Sequence, residues 1–249
     1  MMRKRIVNGK IALGVALLFF SALFYFISYE SFHNGRYIVQ AILNNVAFAF
    51  FEVFLVTLII NRLLMIREKK ALHKKLNMII GVFFNETGTE LIQKCMAFDR
   101  KAPELVTRLV VTNDWSEKEF AVVVKALKKH DASIDYHKGD IEGLKSYLLA
   151  HRAFLLNLLE NQSLLEHDSF SNLLWAAFHL TDELSRRKDL RALSQVDQQH
   201  VCVDIKRALA LITSEWLAHM KHLKIEYPYL FSLAMRTNPF DPRAKVELE

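Results

Sequence analysis

Glycine and proline are scarce in this chain, 7 and 4 in 249 residues. Both interrupt regular backbone, so their scarcity argues against a turn-rich all-β fold and leaves long helices as the default. No Gly-rich phosphate loop of the Walker type occurs, which removes the commonest nucleotide cradle. Cysteine is nearly absent: Cys95 and Cys202 are alone, without metal-like neighbour spacing, and both sit among apolar residues. They read as buried free thiols in a reducing compartment, not as nucleophiles with an arranged base.

Basic charge is missing from most of the chain. The formal net charge is +6, yet eleven lysines and arginines fall within the first 75 residues against Glu30, Glu52 and Glu68. The remaining residues carry a slight acidic excess, so no extended basic stripe is available for nucleic acid. The positive charge instead flanks apolar segments, where membrane topology and anionic lipid account for it.

Long apolar runs are what the chain does have, within a hydrophobic content of 52%. Residues 11–28 contain no charged side chain and follow a start, MMRKRIVNGK, with four bases and no acid. The run is long for a signal-peptide core and no small-residue cleavage site follows, so it is expected to be a retained transmembrane helix, about 11–29. A polar turn with Gly35 separates it from a second expected span, about 38–65. Basic flanks on both sides and a nearly neutral loop between them place both termini on the cytoplasmic side. The expected location is the inner (cytoplasmic) membrane.

Within the second span, Asn45 and Glu52 stand seven residues apart and share nearly one helical face. A carboxylate there is costly, so it is expected to face protein, water or the interface, and the pair forms a candidate intramembrane polar site. Beyond the span lies a basic collar, Arg62, Arg67, Lys69, Lys70, Lys74 and Lys75, suited to anionic headgroups. Leu72, Leu76, Ile79 and Phe83 then recur at about 3.5 residues, a short coiled-coil-like seam that could pair with other copies or dock on its own domain.

From residue 71 to about 240 the pattern is amphipathic helix after amphipathic helix. Ser116-Glu117-Lys118-Glu119 is a capping box. Pro103 suits the first turn of a short helix, and residues 131–139 form the main loop. One helix is expected from Asp140 through Leu159. Pro228 ends the long helix before it, and a polar tail occupies 241–249. His179/Glu183, His200/Asp204 and Glu215/His219 are each one helical turn apart. Such pairs could ligate metal, but they arise often on charged helices, and no metal or other cofactor is expected. His151 and His219 fall on apolar stripes and are expected to be satisfied core histidines.

The stretches Leu165-Glu166-His167, Leu174-Trp175-Ala176-Ala177-Phe178-His179-Leu180, Tyr227-Pro228-Tyr229-Leu230-Phe231 and Arg236-Thr237-Asn238-Pro239-Phe240-Asp241 resemble a family of uncharacterised prokaryotic membrane proteins. Those have two N-terminal spans and a cytosolic helical region. The resemblance covers essentially the whole chain. It implies topology and no activity, and it carries over no functional residue.

The expected fold is therefore all-α, a two-helix transmembrane hairpin over residues 1–70 followed by a cytosolic helical bundle. The expected function is that of a non-enzymatic, membrane-anchored interaction or regulatory protein, homo-oligomeric. The alternative is an oligomeric ion channel or transport component whose second span lines the path. The expected partners are the bilayer with anionic lipid at its cytoplasmic face, further copies of the chain and an unknown cytosolic protein.

Overall fold

A computed structural model describes residues 19–30, 35–164 and 167–247. The chain divides into two compact units, Met1–Lys69 and Lys70–Glu249. Among the described residues it is all helical, with one isolated antiparallel bridge between Asp99 and Ile134.

The first unit contains α1, residues 19–30, and most of α2, Gly35–Phe83. Residues 11–18 of the expected first span lie outside the described residues. By length and composition, one helix among the described residues, that of α2, can cross a membrane, and none of its most apolar 18-residue window is buried. Large side chains such as Phe48, Phe50, Phe51 and Phe54 stand exposed on it.

In the second unit, Leu76, Ile80 and Phe83 of α2 are buried in the core of the same chain. The heptad-like seam thus docks on its own domain. The helix then loosens into a π-turn, Phe84–Gly88, before α3, Thr89–Met96. The Thr89 amide and hydroxyl both donate to the Phe84 carbonyl, the hydroxyl at 2.8 Å. A Cβ on Gly88 would stand 2.6 Å from Phe84 Cδ1 and 2.7 Å from Phe83 Cε1, so glycine lets the backbone close on the two rings. Phe83 also meets Phe170 edge-on at 5.3 Å, fixing this turn to a later helix.

Helix α4, Ala102–Leu109, has Pro103 in its first turn, and α5, Glu117–Leu127, opens on the expected capping box. The Ser116 hydroxyl accepts from the Glu119 amide, and Glu119 accepts from the Ser116 amide. The loop 131–139 is pinned by the buried Asp99, whose Oδ1 accepts from the amides of Lys101 at 2.9 Å and Ser133 at 2.8 Å. Asp140 caps the next helix through the Gly143 amide at 2.9 Å.

The single helix expected through Leu159 is two. Helix α6, Ile141–Ala150, ends at His151, where φ is −97° and ψ 4°, and α7 runs Arg152–Leu159. His151 Nδ1 lies 2.9 Å from the Tyr147 carbonyl and donates to it. That second donor on one carbonyl favours the bend, while the apolar stripe continues across it and hides the break in the sequence.

Helices α8, Asp168–Arg186, and α9, Gln195–Glu226, form the most extensive helix pair. Helix α9 is the central element: α3, α5, α8, the π-turn and α10, Pro228–Arg236, all pack on it. Its polar residues Asp204, Thr213, Glu215 and His219 are buried along with its apolar ones, as a central position demands. The chain closes with Asn238 donating to the Leu109 carbonyl at 2.8 Å and Phe240 packed on Trp216 at 4.9 Å.

Candidate functional site

The helical domain holds an open groove of about 860 Å³ between the C-terminal part of α2, the π-turn, α9 and α10. Met78 and Val82 form one wall, Trp216 and Leu223 the second, Leu230 and Leu233 the third. This size and apolar character suit a small-molecule or acyl ligand. Lys74 and Lys75 belong to the same lining. The groove therefore joins an apolar trough to two exposed ammonium groups.

At its base sits His219, 8% exposed. Its ring stacks on Phe84 at 5.3 Å and 18°, and its edge lies over Gly81, where a Cβ would meet Cε1 at 3.5 Å in ordinary van der Waals contact. The Nδ1 atom has no hydrogen-bond partner. Burial lowers the pKa of His219 to about 4, and nearby His222 adds to the effect. The imidazole is thus neutral at pH 7, able to offer one N–H and one lone pair at the floor of an apolar trough. His219 is a core histidine as expected but not a satisfied one. His222 is also lowered by burial, with Glu226 opposing.

The cysteines stay apart from the groove. Burial pushes the Cys95 thiol up to about 12 and raises Cys202. Neither is poised as a thiolate.

Of the residues singled out in the sequence, Asn45 is exposed and donates from Nδ2 to the Tyr25 hydroxyl at 3.1 Å, while Glu52 is exposed on α2. Arg62, Arg67, Lys69 and Lys70 are exposed as well. Lys74 and Lys75 take on a second place in the groove lining. The pairs His179/Glu183 on α8 and His200/Asp204 on α9 come together across the helix pair. Sequence reasoning missed the groove, because its walls come from 71–89 and 216–237 and nothing local links them.

An all-helical domain with an apolar groove, preceded by a long apolar helix, defines an architecture and not an activity. The chain belongs to the family described as "Uncharacterized protein MJ1433, C-terminal helical domain", which matches residues 72–236, together with the N-terminal helical domain of the same protein over residues 3–64. It is 42% identical over 232 residues to Uncharacterized protein MJ1433 of Methanocaldococcus jannaschii, covering 93% of each chain. No solved structure matches it.

Proposed function

We propose that this protein is a non-enzymatic, membrane-anchored binding protein whose helical domain takes an amphiphile, an acyl chain with an anionic head, in the groove beside His219. The observation that carries the reading is the union of an apolar trough with Lys74 and Lys75 in one lining. An acyl tail against Met78, Trp216 and Leu230 removes apolar surface from water, at roughly 25 cal/mol per Å². An anionic head gains the two lysines. Both lysines also close the basic collar, nine and ten residues after Met65 in the sequence, so a ligand drawn from or reporting on the bilayer surface fits this place in the chain.

The membrane reading rests on the uncovered apolar face of α2. Exposed rings such as Phe50 and Phe51 would be costly in water and are ordinary in lipid. The expected hairpin topology, with both termini cytoplasmic, is retained as part of the proposal. Self-association would run through this apolar helix, since the seam beyond it is occupied by its own domain. A conduit lined by α2 is the less supported alternative: Asn45, half of its polar face, is engaged by Tyr25.

The test uses full-length protein in zwitterionic phosphatidylcholine nanodiscs, titrated with fluorescent oleate and corrected for empty nanodiscs. Saturable one-to-one binding is expected, at least tenfold weaker for the K74E/K75E variant and for Met78→Glu, whose side chain is exposed and tolerates the change. Equal binding of an uncharged oleyl alcohol, or unchanged binding in both variants, overturns the ligand assignment. A cation leak from protein-loaded liposomes that depends on Glu52 overturns the non-channel reading.

A further inference from the structure

A second cluster lies on the α8–α9 pair, on residues that do not line the groove. His179 and Glu183 occupy successive turns of α8, and His200 and Asp204 successive turns of α9. Packing of the two helices brings all four together. The His179 Nε2 is 3.4 Å from Asp204 Oδ2, the His200 Nε2 is 3.5 Å from the same oxygen, and His200 Nε2 is 3.6 Å from Glu183 Oε2. Ligand atoms of His179, Glu183 and His200 all fall within 4.8 Å of one another.

Two observations distinguish this cluster from chance ion pairs. First, Asp204 is 2% exposed, yet its Oδ2 has no hydrogen-bond partner. A buried carboxylate oxygen left without a donor is costly. Its other oxygen is held by Arg207 at 3.1 Å, which turns Oδ2 toward the two imidazoles. Second, the three separations are too long for hydrogen bonds, whose donor–acceptor distance is about 2.7–3.2 Å. They are close to the separation of about 3.3–3.4 Å that ligand bonds of roughly 2.0–2.1 Å set between two donor atoms on one tetrahedral ion.

We infer that His179, Glu183 and His200 form a binding site for a divalent transition-metal ion, with two imidazole nitrogens and one carboxylate oxygen as ligands and Asp204 Oδ2 facing both imidazoles beside them. This donor set suits zinc and its first-row neighbours and disfavours magnesium or calcium, which take oxygen alone. Arg187 and Arg207 supply the surrounding shell. Arg187 lies 2.5 Å from Glu183 Oε2 and Arg207 holds Asp204 Oδ1, so each orients a carboxylate and offsets its charge. The site ties the C-terminal half of α8 to the first half of α9. It is therefore a structural cross-link between the two longest helices of the domain.

The test is equilibrium dialysis of chelator-treated full-length protein against Zn(II) and against Co(II), with metal counted by mass spectrometry. One ion per chain is expected, with the visible absorption of tetrahedral Co(II), and Zn(II) should raise the melting temperature by several degrees. The H179A/H200A variant replaces two half-exposed side chains and should fold, yet lose stoichiometric uptake and the Tm rise. Asp204→Asn should weaken Zn(II) binding at least tenfold. Uptake well below one ion per chain, or equal uptake by wild type and H179A/H200A, overturns the assignment and leaves a set of histidine–carboxylate ion pairs. A Co(II) spectrum of octahedral type overturns the tetrahedral geometry.

Discussion

Helix α9 carries two histidines with nearly the same sequence signature. His200 has Asp204 one turn after it, and His219 has Glu215 one turn before it. Their surroundings differ almost completely. His200 is half exposed and faces two carboxylates, one from its own helix and one from α8. His219 is buried on Phe84, with an unpartnered Nδ1 and a pKa near 4. The contrast shows that an i,i+4 pair is only half of a site. The facing helix decides whether the histidine meets charge or aromatic surface, and so whether it is suited to hold an ion or to stay neutral.

The groove end of this contrast carries more of the stability. Trp216→Ala removes a buried ring that packs on Phe240 and walls the groove, and it should cost about 3–5 kcal/mol in denaturant unfolding. A loss under 1 kcal/mol would mean that the groove is not part of the core.

Next in size is the pH response of His219. Its folded pKa is depressed below the unfolded value near 6.5, so between about 6.5 and 4 the unfolded chain binds the extra proton. The stability of neutral burial is fully present above 6.5 and is lost as pH falls toward 4. The magnitude is on the order of 3 kcal/mol. Melting curves of wild type and His219→Leu should diverge over this window, the variant losing less. His222 and Glu226 on the same helix, and Lys74 and Lys75 across the groove, remain in both proteins and cancel in the comparison. Parallel pH profiles would place His219 in contact with water.

The smallest effect belongs to the other end of α9. In metal-free protein, His179→Ala should change unfolding free energy by no more than about 0.5 kcal/mol, as expected of a half-exposed side chain. A cost above 1.5 kcal/mol without metal would show that the cluster is held by its ion pairs alone, and would erase the distinction from His219.

Local chemistry was legible in the sequence wherever a few neighbouring residues decide the outcome. Ser116 and Glu119 announce a helix start by themselves, and Pro228 separates α9 from α10. The buried stripe of α8 follows from spacing alone. The break at His151 was not legible, because Leu148 and Leu155 keep the apolar period across it. Neither was the groove, which needs Met78, Trp216 and Leu230 to meet from three helices. The histidine–carboxylate pairs were visible one helix at a time. Their convergence depends on the register of α8 against α9, which no single helix encodes. Lys74 and Lys75 were legible as charge at a membrane edge, and their place in the groove lining came only from the fold.

The π-turn at Phe84–Gly88 acts as a phase correction. Counted at 100° per residue, Cys95 would stand about 100° around the helix from Leu76, and α3 would turn its apolar side away from α9. The wider turn absorbs an additional residue and gives back roughly that angle. Leu76, Phe83, Leu91 and Cys95 are all buried as a result. The spacing from Lys74 to α3 is therefore a rotational setting. Deleting one residue within 84–88 would let a regular α-helix keep both apolar faces on the core, whereas inserting one would swing one of the two faces out of it.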